Sequence, residues 1–144
     1  TRFTFRDVLH QTYGDEYRRG AIDDRMAGSQ GCAAIHRILA KVGRRESSVL
    51  ASGRIAAHLL GVRRLDTIAQ AGDRWKSFQA EVGPGRSPIE LFDWIVIDAA
   101  ENFYQSQAQR AFILEEAQRA GYRLIEQDRG ILVYGRPPIS PHAE

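Results

Sequence analysis

Apolar positions along this chain follow two alternating patterns, spacings of three and four residues and short continuous β-branched runs. That alternation predicts an α/β domain. Thr4 and Asp7 resemble a capping box, and Phe5, Val8, Leu9 and Tyr13 recur at helical spacing until Gly14, so a short first helix is expected. Ile35, Ile38, Leu39 and Val42 predict a second helix over about 31–42, ended by Gly43, with Gly28 and Gly31 opposing its extension further back. Ser48 to Ala51 reads as a short buried strand, broken by Ser52-Gly53, that feeds a helix from Arg54 to Leu60. Leu65 to Ala69 is expected as a second strand, interrupted by Asp66 and Thr67. Trp75, Phe78 and Val82 then mark one face of a helix that Gly83-Pro84-Gly85 must end.

Trp94-Ile95-Val96-Ile97 is apolar and largely β-branched between two aspartates, the pattern of a central strand covered on both faces. A helix over about Gln105 to Ala120 comes next, with Gly121 at its C-terminal cap. Tyr122 to Glu126 and Ile131 to Tyr134 flank Asp128-Arg129-Gly130, a hairpin turn with glycine where positive φ is needed. The prolines at 137, 138 and 141 cannot extend a strand. The expected fold is a three-layer α/β domain with a mostly parallel, Rossmann-like sheet, a C-terminal antiparallel hairpin and two N-terminal helices. It forms one domain over residues 1–136, helical over 1–43 with the α/β core over 44–136, and a tail over 137–144. No internal repeat is visible.

Composition narrows the partners more than the chemistry. With 144 residues, 43% hydrophobic and 26% charged, the chain can bury a globular core without a staple. The formal charge of +2 rests on arginines interspersed with acids, and no basic run is interleaved with aromatics, so no nucleic acid is expected as a partner. Cys32, the single cysteine, has no intramolecular partner and leaves the compartment open. No apolar run is long enough for a membrane span, and no signal-peptide pattern opens the chain. It begins at Thr1 without a methionine, as an excised piece of a longer protein would.

Sheets of this kind bind ligands at the carboxyl ends of their strands, which makes Ser52, Gly53, Arg54, Asp66, Asp98 and Asn102 the candidate ligand-binding residues. In a nucleotide or S-adenosylmethionine site, the amides of Ser52 and Gly53 would face the ligand and an acid after the second strand would bind ribose hydroxyls. Arg54 would offer planar donors to a phosphate or carboxylate. LASGRIA, however, carries one glycine where a dinucleotide fingerprint needs several, so a plain strand-to-helix turn is the competing reading. Asp98 and Glu101 are either a carboxylate pair for acid-base or metal chemistry or a strand end whose aspartate caps the next segment. A receiver-type phosphoacceptor lacks its acidic pair and its lysine. His10, His36, His58 and His142 have no metal-ligand spacing, and Ser47, Ser48 and Ser52 have no G-x-S-x-G context. No catalytic residue, metal or cofactor is expected.

Three segments in order, SSVLASGRIAAHLLGVRRLDTI, FDWIVIDAAENF and GYRLIEQDRGILVYGRP, resemble the soluble C-terminal domain of polytopic bacterial membrane proteins related to the GT-C type of lipid-linked-sugar glycosyltransferases. That group has a strand ending in A-S, a short helix with a basic segment, a D-Y-V-V-L-D strand and a Y-x-V-x-Y-E-x-D-G-I-x-V-L hairpin. The matching positions are Ala51-Ser52, the helix through His58 to Arg64, Asp93 to Asp98, and Tyr122 to Val133. The chain lacks the group's proline-aspartate turn before the first strand and carries a longer Gln70 to Pro88 segment. The resemblance implies a non-catalytic extracytoplasmic domain at the cytoplasmic membrane. Its partners would be the transmembrane portion of the parent chain and a glycan or lipid-linked sugar acceptor, with the catalytic acid in the membrane portion. Two alternatives stand beside it: a small or truncated S-adenosylmethionine-dependent methyltransferase, suggested by strand-SG-helix and FDWIVID, and a cytoplasmic interaction module.

Overall fold

The computed structural model describes residues 28–101 and 105–137. The expected first helix and the tail beyond 137 lie outside these residues. The described chain is a mixed α/β fold around an open five-stranded sheet, in the order β2-β1-β3-β5-β4. The strands are β1 (Ser48–Ala51), β2 (Arg64–Thr67), β3 (Trp94–Asp98), β4 (Arg123–Asp128) and β5 (Ile131–Gly135). β1 pairs in parallel with both β2 and β3. β5 runs antiparallel between β3 and β4, so the hairpin's second strand, not its first, joins the sheet.

Helix α1 (Gly28–Val42) buries Ala34, Ile38 and Val42 at successive four-residue steps. It begins at least three residues before the expected start, since packing of this face outweighs the helix penalty of two glycines. α2 (Gly53–Ala56) is shorter than expected. After Ala56 the bonding tightens to three-residue steps, His58 to Ile55 and Leu59 to Ala56, which turns Leu59 into the core. β2 ends at Thr67 rather than Ala69 because the Thr67 hydroxyl accepts from the Gln70 amide and caps α3 (Ile68–Val82). Pro88–Leu91 forms one 3₁₀ turn behind a Ser87/Glu90 capping box, and a second box, Ser106/Gln109, starts α4 (Gln107–Arg119).

Strand alternation distributes the core between two clusters. Val49, Ala51, Val96, Ile131 and Val133 pack with α1 and α2, while Leu50, Ile95, Ile97 and Tyr134 pack with Phe78, Ile89, Phe92 and Ile113. Tyr122 sits in the second cluster with its O–H in reach of the carbonyls of Ile89 (2.8 Å) and Phe92 (2.6 Å), and burial pushes its pKa up to about 12. Ile95 to Asp98 are all buried, so β3 is the central strand its sequence predicts. α1 is also tied to the hairpin: Arg37 donates to Glu126 and Asp128, and Lys41 Nζ lies 3.3 Å from Glu126. No described helix is long and apolar enough to cross a membrane.

Candidate functional site

The carboxyl ends of β1 and β3 meet in a largely buried polar cluster. Ser52 holds the N-cap position of α2, where a serine oxygen ordinarily accepts a helix amide, yet it makes no capping bond. Its hydroxyl instead donates to Gln105 Oε1 and accepts from the Asp98 amide, both at 2.9 Å, clamping the ends of the two strands together. The capping task passes to Glu101, whose carboxylate accepts from the amides of Gly53 (3.0 Å) and Arg54 (2.9 Å). One glutamate distant in sequence thus satisfies two donors that the start of α2 leaves open.

Local turn chemistry delivers Glu101 to that position. Asp98 Oδ1 accepts from the Ala100 amide, an Asx-type turn, and the Glu101 amide donates back to the Asp98 carbonyl. Gln105 Nε2 donates to the carbonyls of Asp98 (3.1 Å) and Glu101 (3.3 Å), and Arg110 donates to the Glu101 carbonyl. The Ala99 amide donates to Gly130, which joins the same turn to the hairpin. Ser52, Asp98 and Glu101 are wholly buried, and Arg54 and Gln105 nearly so.

Burial pushes the Glu101 pKa up, against the pull of its two amide donors, and the charge of Asp98 pushes the same way while Arg54 opposes it. A buried acid with a raised pKa is a common mark of a catalytic group. Here both oxygens accept from backbone amides, so the carboxyl serves as the cap of α2.

Of the residues expected at the strand ends, the structure brings Ser52, Gly53, Arg54 and Asp98 together. The Gly53 amide points to Glu101, and the Ser52 amide donates to the Val96 carbonyl at 2.9 Å. Asp66 stands apart. Its side chain is held by Arg64 Nε at 3.1 Å and by Arg74, and both guanidinium groups lie over the Phe78 ring. Asn102 lies outside the described residues. Sequence reasoning missed Gln105, which reads as an ordinary helix start, and missed that Glu101 turns inward; an acid three residues past a strand-ending aspartate was the signal available.

Surface cavities among the described residues lie away from this cluster. One of about 420 Å³ is lined by Lys41, Arg44, Glu46, Ser47, Asp93, Trp94 and Ile125. Another, of about 230 Å³, is lined by Ser87, Glu90, Glu116, Arg119 and Ala120. Among the described residues no three histidine, cysteine or acidic side chains converge as a metal-ligand set. Compared with known proteins, the chain matches no family model, no curated protein and no solved structure.

Proposed function

We propose that this chain is a non-catalytic recognition domain, carried on the extracytoplasmic face of the cytoplasmic membrane by a glycosyltransferase-like parent, where it helps to recognise an acceptor glycan or partner. The observation that carries the non-catalytic part is Glu101. In a nucleotide- or S-adenosylmethionine-dependent enzyme of this architecture, the amides after the first strand face the cofactor. Here those of Gly53 and Arg54 are filled by a side chain of the chain itself. The same fact weighs against the methyltransferase-like reading.

The membrane context rests on resemblance. Its three segments fall on β1 through β2 with α2 between them, on β3 and on the β4-β5 hairpin, in the order of the group they resemble. Apolar clusters holding alternate residues of the strands support the finer description, a three-layer Rossmann-like sheet. The test is the reading frame upstream of Thr1. Apolar segments of about 20 residues each support the reading, and a start codon close by with no such segment overturns it.

A further inference from the structure

The cavity of about 420 Å³ lies at the opposite end of the sheet from the Glu101 cluster, beside the end of α1 and the start of β3. Its apolar wall is built by an irregularity in the hairpin. β4 pairs Leu124 with Tyr134 and Glu126 with Val133, so Ile125 is the extra residue of a bulge. Trp94 pairs with Gly135 on the neighbouring strand. A Cβ at position 135 would stand 3.0 Å from Ile125 Cγ1 and 3.1 Å from Trp94 Cζ3. The absence of a side chain there lets the Ile125 and Trp94 side chains close over the strand as one surface. Ile125 nevertheless remains 49% exposed, an apolar side chain presented rather than buried.

Charge around this wall is balanced. Lys41, held by Glu126 at 3.3 Å, and Arg44 bring two cations, and Glu46 and Asp93 two carboxylates. Asp93 is fixed in place: its Oδ2 accepts from the Ser48 amide at 3.0 Å, its own amide donates to Ser48 Oγ at 3.0 Å, and Arg136 lies 3.4 Å from Oδ1. An anionic ligand would meet the two carboxylates and a cationic one the two cations, while a purely apolar ligand would strip water from all four. A neutral ring with one apolar face and several hydroxyls avoids each penalty. Its hydroxyls would accept from Arg44 and donate to Glu46, since Lys41 already faces Glu126 and Asp93 faces Arg136. The size falls within the range of about 300–1,000 Å³ that small-molecule sites occupy.

We propose that this cavity, walled by Trp94 and Ile125 and rimmed by Arg44, Glu46 and Asp93, is a binding site for a neutral sugar ring. The proposal deepens the recognition reading above and rests on it, but its test reads binding to the chain by itself and is independent of any membrane parent. Methyl hexosides and neutral oligosaccharides, with glucuronate and glucosamine as charged counterparts, would be titrated into the isotopically labelled chain by NMR. The expected result is saturable shifts of the Trp94 indole and the Ile125 and Gly135 amides with the neutral sugars, and weaker binding of both charged sugars. Arg44→Ala and Glu46→Gln, at exposed positions where folding is not at stake, each reduce affinity about tenfold, as loss of a charged hydrogen bond does. Absence of saturable shifts, shifts mapping elsewhere, or unchanged affinity in both variants overturns the proposal, whatever the upstream reading frame contains.

Discussion

The carboxylate of Glu101 caps the helix that begins at Gly53, accepting from the Gly53 amide at 3.0 Å and from the next amide at 2.9 Å. The two residues belong to different strand-to-helix connections, so this contact welds the ends of β1 and β3. It also occupies the N-terminal end of α2, the end of a helix that favours negative charge.

Removing that carboxylate should be costly. Glu101→Ala leaves two enclosed amides without acceptors and is expected to lower stability by about 1–3 kcal/mol. Glu101→Gln keeps one acceptor oxygen, sheds the buried charge and should cost less. Urea unfolding of the two variants checks the order, and equal stability of Glu101→Ala and the parent chain would show that the contact contributes nothing.

Two glutamates should shape the pH profile in opposite directions. The folded-state pKa of Glu101 is raised, first by burial, so its favourable contribution is present below the ordinary glutamate pKa and is lost as pH rises through the raised value. That of Glu126 is lowered, first by its hydrogen bond from Arg37, so its contribution is present above the ordinary value and is lost as pH falls through the lowered one. Glu101→Gln should therefore flatten the decline on the higher-pH side, and Glu126→Gln the decline on the acid side. Unfolding midpoints measured across pH decide, and unchanged slopes in both variants would refute the assignment.

Gly135 leaves a side chain little room. A methyl group there meets Ile125 and Trp94 at 3.0 and 3.1 Å, so Gly135→Ala is expected to cost about 1–3 kcal/mol, as overpacking does. Adding Ile125→Ala should recover part of the loss. A thermal scan showing Gly135→Ala at or above the parent stability would mean that the crowding is absent.

The hairpin turn can be improved. Arg129 and Gly130 both have positive φ, 51° and 81°, the two-residue turn for which Asn-Gly is the favoured pair. Arg129→Asn relieves the left-handed strain of an arginine and should add about 0.5–1 kcal/mol. A lower melting temperature would contradict this.

Local pattern controls the features that were legible in the sequence. The run Trp94 to Ile97 announced a buried central strand because β-branched residues without polar interruption fit nowhere else, and Gly130 announced the turn because positive φ demands it. Features that depend on pairing between distant segments were less legible. Nothing in Arg123 to Gly135 says that β5, not β4, lies against β3, or that Ile125 bulges, since both result from fitting the hairpin to Trp94 and Gly135. The inward turn of Glu101 was hidden for the same reason: its partners, the amides of Gly53 and Arg54, carry no sequence signature. Asp66 looked like a strand-end acid, and only packing against α3 reveals that Arg74 holds it together with Arg64.

Whether Glu101 keeps the amides of Gly53 and Arg54 from a cofactor is tested most directly by calorimetric titration of the chain with S-adenosylmethionine and with nicotinamide dinucleotides. No saturable heat is expected with either. Binding at micromolar affinity, about −8 kcal/mol, that shifts the amide resonances of Gly53 and Arg54 would contradict it.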